Sequence, residues 1–293
     1  MKRAVAALVF VCAGCQFSLR ALDNVAGGDP SDLATLDSVE DLGLGDPVDL
    51  AAADLSNVVH DLTIDPCANP PALGSGNVAA QCVIGNPPTI DGNLSDWPLA
   101  QFVSLTKSTA AQSNGTWGSA SVPDDTNSSA RLFVKWDLSY LYVAVSVSDD
   151  VRNTPNVPPY LTDNDAVEIF VDGQHQRTAS YGSDDWQLVY SANGMVAAGQ
   201  VNVVPWPAGT HEVVGGTSPG YTVEAAIPWS ILGGTPAALG RVVGFDIKLN
   251  DNDVGTARDR DLILYYNATS SSGGCSAPYC RTDSFGAVQL QGR

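Results

Sequence analysis

Between residues 130 and 291 the chain alternates apolar and polar side chains in short bursts, each closed by Gly, Asp, Asn or Pro. The segments ARLFVKWD, LYVAVSVSD, AVEIFVDG, WQLVYSANG, YTVEAAIPW, VVGFDIKLND, DLILYYN and FGAVQLQ are rich in Val, Ile, Phe and Tyr. Such composition on a two-residue period marks half-buried strands. No stretch keeps a helical period beyond about one turn, and the single helical turn expected falls at Ser230 to Leu232. Eight or more strands without intervening helices predict an all-β fold, a two-sheet antiparallel β-sandwich of jelly-roll or immunoglobulin-like type. The domain is expected over residues 66–293, long enough to bury a substantial core.

Alternation also poses a chemical question. In DNDAVEIFVDG, residues 163–173, Asp165, Val167, Ile169 and Val171 share one strand face, while Ala166, Glu168, Phe170 and Asp172 share the other. An unpaired carboxylate beside Phe170 would be costly to bury. Glu168 is therefore expected to meet a cation, a hydrogen-bonding ligand or water in an open groove, with a solvated strand face as the alternative.

The N-terminus has a different character. Lys2 and Arg3 precede the apolar stretch Ala4 to Val11, too short to cross a bilayer but suited to an export signal over residues 1–14. Cys12-Ala13-Gly14-Cys15 resembles a bacterial lipobox, although Cys12 stands where Leu is usual. The resemblance implies lipidation of Cys15, and Gln16 after it points to the outer membrane, with the protein held at the cell surface. An ordinary secretory signal is the alternative. Residues 15–65 read as an acidic, disordered tether: Ala21 to Asp65 holds eleven acids and no base, and Pro30, Gly43, Gly45 and Pro47 interrupt any helical period.

The formal charge is −18, and without the signal and tether the remainder is near −10, 21 acids against 11 bases. That balance excludes nucleic acid and anionic lipid headgroups as partners, which need clustered Lys and Arg, and it suits a neutral ligand or bound cations. Apart from Cys12 and Cys15, four cysteines remain, allowing three pairings. The local ones, Cys67 with Cys82 and Cys275 with Cys280, need the least chain rearrangement and fit an oxidising compartment. A four-thiolate zinc site lacks C-x-x-C spacing.

No nucleophile elbow, zincin motif or phosphate-binding glycine loop occurs, and none of His60, His175 and His211 neighbours a nucleophile motif. Asp184 and Asp185 are the nearest thing to a glycosidase pair, but as neighbours on a strand they would point to opposite faces. No catalytic role is expected. Asp163 and Asp165, with Asp251 and Asp253 in NDND, form oxygen clusters suited to calcium, as do Asp149 and Asp150. Loop solvation and turn capping are the alternative.

PPTIDGNLSDW, ARLFVKWDLSYLYVAVSVSDD, DNDAVEIFVDG, GYTVEAAIPW, VVGFDIKLNDND and SFGAVQL occur in the order and register of family 9 carbohydrate-binding modules, which the chain resembles over roughly residues 86–290. The resemblance implies a β-sandwich that clamps terminal sugars between two aromatic rings, bonds their hydroxyls with polar side chains, braces its loops with calcium and cuts no bond. Aromatic rings suit the C–H faces of a pyranose. Carried over by position, the acid is Glu168 and the late aromatic is Tyr279. The first aromatic falls on Thr162, with Tyr160 as a substitute. An amide becomes Lys248, and a basic contact falls on Val189 and is lost. The expected ligand is a poly- or oligosaccharide of the xylan or cellulose type, bound by Tyr160, Glu168, Lys248 and Tyr279 of a monomer.

Trp117, Tyr181, Trp186 and Trp206 could add to a platform, whereas Trp97, Trp136 and Trp229 are read as core. The alternatives are a surface adhesion or assembly protein holding a protein or envelope glycan, and a haem-binding sandwich using Met195 and the domain histidines.

Overall fold

The computed structural model describes residue 67 and residues 77–98, 102–111, 121–199, 204–216, 218–258, 260–265 and 280–292. The signal, the tether, Cys15, His60, Trp117, Cys275 and Tyr279 lie outside the described residues. Twelve strands run in chain order: β1 (Asn77–Cys82), β2 (Val103–Leu105), β3 (Ser128–Trp136), β4 (Tyr140–Asp149), β5 (Ala166–Asp172), β6 (Asp185–Ser191), β7 (Val196–Ala198), β8 (His211–Gly215), β9 (Tyr221–Pro228), β10 (Val242–Asp251), β11 (Arg260–Ile263) and β12 (Gly286–Gln291). All eight segments read from the alternation are strands. The expected helical turn is a 3-10 turn at Trp229–Ile231. Among the described residues no helix is long and apolar enough to cross a membrane.

The antiparallel two-sheet expectation needs revision. The strands form one mixed sheet in the order β7-β6-β5-β10-β12-β1-β3-β4-β9-β8, with β11 on β10 and β2 on β3. The strand that joins its halves is β1, which runs parallel to β12 on one side and to β3 on the other. Val143 and Val145 of β4, Val167 and Ile169 of β5, and Ile247 of β10 nevertheless share one core. Side chains from distant positions in the strand order can meet only if the sheet curls so that one face turns inward.

The opposite face is also covered, in two places. Over β3, β4 and β9, the segment around residues 89–97 packs Trp97 against Phe133, Tyr142, Ala144 and Ala226. Buried Glu224 holds it there, accepting hydrogen bonds from Trp97 Nε1 at 2.7 Å, Asp91 N at 3.1 Å and Gly92 N at 2.5 Å. Gly92 has φ +85°, and a Cβ on Gly215 would lie 2.8 Å from Gly92 Cα, so both positions need glycine. Over β5, β6 and β7, Leu161 from a 3-10 turn (Leu161–Asp163) packs on Ala166, Val189 and Ala197.

Trp97, Trp136 and Trp229 are buried, as expected of core residues. Cys67 and Cys82 form a disulfide. Cys280 is also disulfide-bonded, to a partner outside the described residues.

Candidate functional site

Register places a row of polar side chains on the face of β5 and β10 that points away from the main core. Glu168 lies opposite Lys248, and Ala166 opposite Asn250, which in turn faces Asp261 of β11. Glu168 and Asp261 are 0% exposed, Lys248 2% and Arg258 5%, so the face is sealed and not an open groove. Glu168 Oε1 accepts from Lys248 Nζ at 3.2 Å and Asn250 Nδ2 at 2.7 Å, and Oε2 accepts from Gln187 Nε2 at 2.6 Å. Lys248 Nζ also lies 3.5 Å from Asp261, which Arg258 approaches at 3.7 Å.

Two cations thus answer two carboxylates. Burial by itself pushes the Glu168 carboxyl up, but Lys248, Arg258 and the two amides outweigh it and hold the group below the usual carboxylate range. Of the three outcomes expected for Glu168, the cation is the one found. Asn250 Oδ1 is buried and accepts no hydrogen bond among the described residues.

At the rim of this face Tyr160 is 63% exposed while its neighbour Leu161 is wholly buried. Leu161 is the peg that fixes the turn, and it packs on Val189, the position where the resemblance expects a basic contact. Arg258 ties the turn to the polar row by donating to Thr162 O at 2.7 Å. The other aromatic candidates among the described residues are packed. Tyr181 meets Phe285 edge-on, Trp186 donates to Ile231 O, and Trp206 stands edge-on to Tyr190 and donates to Glu212.

The expected metal residues divide. Asp165 and Asp251 come together with Asp149, and Asp253 with Asp149 and Asp150, because Asp149 ends β4, Asp251 ends β10 and Asp165 leads into β5 at the same rim. Ligand atoms of Asp149, Asp165 and Asp251 lie within 4.8 Å of one another, as do those of Asp149, Asp150 and Asp253. Asp163 does not join them: its carboxylate turns to Arg258, 3.7 Å away.

Burial, with mutual repulsion added, raises the carboxyls of Asp149 to about 7, Asp165 to about 8 and Asp251 to about 7. Asp251 Oδ1 is buried and accepts no hydrogen bond among the described residues. Oxygen donors with spare lone pairs and excess negative charge fit a hard divalent cation.

A second carboxylate group was missed. Asp172, Asp184 and Asp185 also place ligand atoms within 4.8 Å of one another. Alternation misjudged Asp184 with Asp185, because Asp184 lies in the turn before β6 and not on the strand. Backbone N–H groups of Gln174, Gln176, Arg177 and Gly182 donate to these three carboxylates, which accounts for them as braces of the β5–β6 turn. Gln187, Asn250, Arg258 and Asp261 were also missed around Glu168. Asn250 could have been found, since it shares a strand face with Lys248.

A polar row sealed beneath an aromatic rim, beside an acidic cluster, is the frame against which the chain compares with known proteins. The sequence profile of the family described as "Carbohydrate family 9 binding domain-like" matches residues 90–293. The chain belongs to that family. Its family 9 domain is 30% identical over 208 residues to the exoglucanase XynX of Acetivibrio thermocellus, covering 70% of this chain and 16% of that protein. It is 34% identical over 165 residues to endo-1,4-beta-xylanase A of Thermotoga maritima, covering 56% of this chain and 14% of that protein. The chain therefore spans less than a fifth of the length of either relative.

Among solved structures, the family 9 carbohydrate-binding module from Caldicellulosiruptor kristjanssonii aligns with a TM-score of 0.56 in its cellotriose complex, at 23% identity, covering 74% of this chain and 94% of that one. Its glucose complex gives 0.55 at 24% identity, covering 74% and 97%. At that identity the likeness concerns the fold.

Proposed function

We propose that this family 9 domain binds poly- or oligosaccharide of the cellulose or xylan type without cutting it, and serves polysaccharide capture at the cell surface. The observation that carries the reading is the family match across residues 90–293. The solved relatives with glucose and cellotriose, and the xylan- and glucan-degrading relatives that match over this region alone, support it.

In this reading Tyr160 offers a ring to a sugar's C–H face, with Tyr279 as the second ring. Glu168 and Lys248, expected as sugar contacts, are sealed with Asn250 beneath the surface and support the rim without reaching a ligand. A calcium ion at the Asp149, Asp165 and Asp251 rim would supply positive charge that fastens the ends of β4 and β10 to the lead into β5. Lipidation at Cys15 would anchor the chain in the outer membrane, and the tether, about fifty residues, would give it a reach of roughly 40 Å.

Incubation of the protein with insoluble cellulose, xylan and peptidoglycan tests the reading. Retention by cellulose or xylan, reversed by free sugar and without released hydrolysis products, is expected. Tyr160→Ala should weaken binding by about 1–3 kcal/mol and leave the melting transition in place, because the ring is exposed. Retention by none of the three, or an unchanged isotherm for Tyr160→Ala, would remove the polysaccharide or the rim respectively.

A further inference from the structure

Nine large apolar side chains stand exposed among the described residues, and four of them, Val151, Val157, Tyr160 and Val254, fall on two loops at one end of the sheet. Those loops are residues 150–165, between β4 and β5, and residues 252–258, between β10 and β11. Single exposed apolar residues are ordinary, but a group gathered in one place marks a contact surface.

Side-chain amides lash the two loops together. Asn153 Nδ2 donates to Asn252 Oδ1 at 3.0 Å and to Gly255 O at 3.2 Å, Asn156 Nδ2 donates to Thr256 O at 3.0 Å, and Asn252 Nδ2 donates to Asp163 O at 2.7 Å. Val157 follows Asn156, and Val254 precedes Gly255, so these bonds bring the valines to neighbouring positions. Tyr160 joins them because its N–H donates to Val157 O at 3.0 Å, which sets ring and valine on one turn. Asn164 closes that turn, accepting from Asn156 N at 2.8 Å and donating to Asn156 O at 3.0 Å. The crest is therefore fixed before anything touches it, which lowers the ordering cost of binding.

Its chemistry and shape select the occupant. Val157 is 58% exposed and Val254 73%, so both project, while Glu168 and Lys248 below are sealed. A projecting crest over a closed floor suits a flat surface and offers no cleft to a single chain. The flanking charges that reach solvent, Asp150 and Asp163, are acidic, whereas Arg152 turns its guanidinium to Gly220 O at 2.6 Å and Arg258 is buried. Anionic headgroups and anionic polymers would be repelled. A neutral surface that presents rows of C–H groups would not.

We propose that Val157 and Val254 extend the Tyr160 ring into a crest that lies on the flat C–H face of a packed, insoluble polysaccharide, so that the domain holds polymer surface more tightly than a dissolved chain. The inference rests on the polysaccharide reading of Tyr160 and adds the physical form of the ligand.

The test compares partition of the full chain onto insoluble cellulose and insoluble xylan with calorimetric titration by cellohexaose and xylohexaose. Val157→Ser combined with Val254→Ser should lower the partition at least about fivefold and leave affinity for the dissolved chains within about twofold. Tyr160→Ala should lower both. The two valines are exposed, so the melting transition of the double variant should match that of the unmodified chain. Val254→Ser alone should show part of the same selective loss. An unchanged partition in the double variant, or an equal loss for packed and dissolved chains, overturns the inference and leaves the polysaccharide reading standing. Failure of the unmodified chain to bind any of the four probes overturns both. Adsorption to phosphatidylcholine vesicles that the double variant loses would assign the crest to a membrane and overturn the inference by a separate route.

Discussion

Glu168 shows what a single buried carboxylate demands of its surroundings. It is wholly enclosed, yet both oxygens are satisfied, by Lys248 and Asn250 on one and Gln187 on the other. Removing one member of such a pair strands the other's charge, which costs about 3–5 kcal/mol, whereas replacing both with groups of similar shape is far milder. Lys248→Met should therefore lower the free energy of unfolding in urea by that amount, and Glu168→Gln combined with Lys248→Met should recover most of it. Equal losses in the single and double variants would show that the pair is not coupled. That Glu168 needs a partner is legible from strand alternation and the cost of burial. Which residue answers is not, because Lys248 lies 80 positions later and meets it only through the β5–β10 register.

At the scale of elements, the segment before β2 depends on one side chain of β9. Glu224 collects three N–H donors from Asp91, Gly92 and Trp97, and Gly92 sits against the backbone of Gly215 with no room for a Cβ. Glu224→Ala would leave the buried Trp97 indole N–H unanswered, at about 1–3 kcal/mol, together with two part-buried backbone N–H groups. It should lower stability by at least about 2 kcal/mol and make the first protease cut fall within residues 84–98. Gly215→Ala should act in the same direction, by forcing the two backbones apart. A cut elsewhere, with stability unchanged, would show that this cover is held by other contacts.

The strong strands were readable because each carries several alternating Val, Ile, Phe or Tyr residues. β7 is only three residues long, and β1 reads NVAAQC, so neither carries enough pattern to stand out. The rim acids were visible as pairs along the chain. Their convergence was not, since it depends on three strand ends meeting at one edge.

Across the whole molecule, the acidic rim links stability to pH. Burial first, and neighbouring carboxylates second, raise Asp149, Asp165 and Asp251 to about 7, 8 and 7, against an ordinary 3.8. Folded-state values above the unfolded ones mean that the native chain binds more protons through this range, so stability falls as pH rises. In chelator, the Tm contribution of these groups should fall as pH rises from the ordinary 3.8 to about 8, and excess Ca²⁺ should flatten that slope by supplying the missing positive charge. A flat profile in chelator would mean that these carboxylates are ionised at no cost.

The halves of the curled sheet are joined by β1, which has five register pairs with β12 and two with β3. During synthesis the early strand must wait for nearly the last residues to emerge, and until they do the sheet has an open seam along Asn77–Gln81. A ribosome-stalled chain ending before residue 286 should remain protease-sensitive throughout, so the molecule gains its native shape in one late step and not half by half.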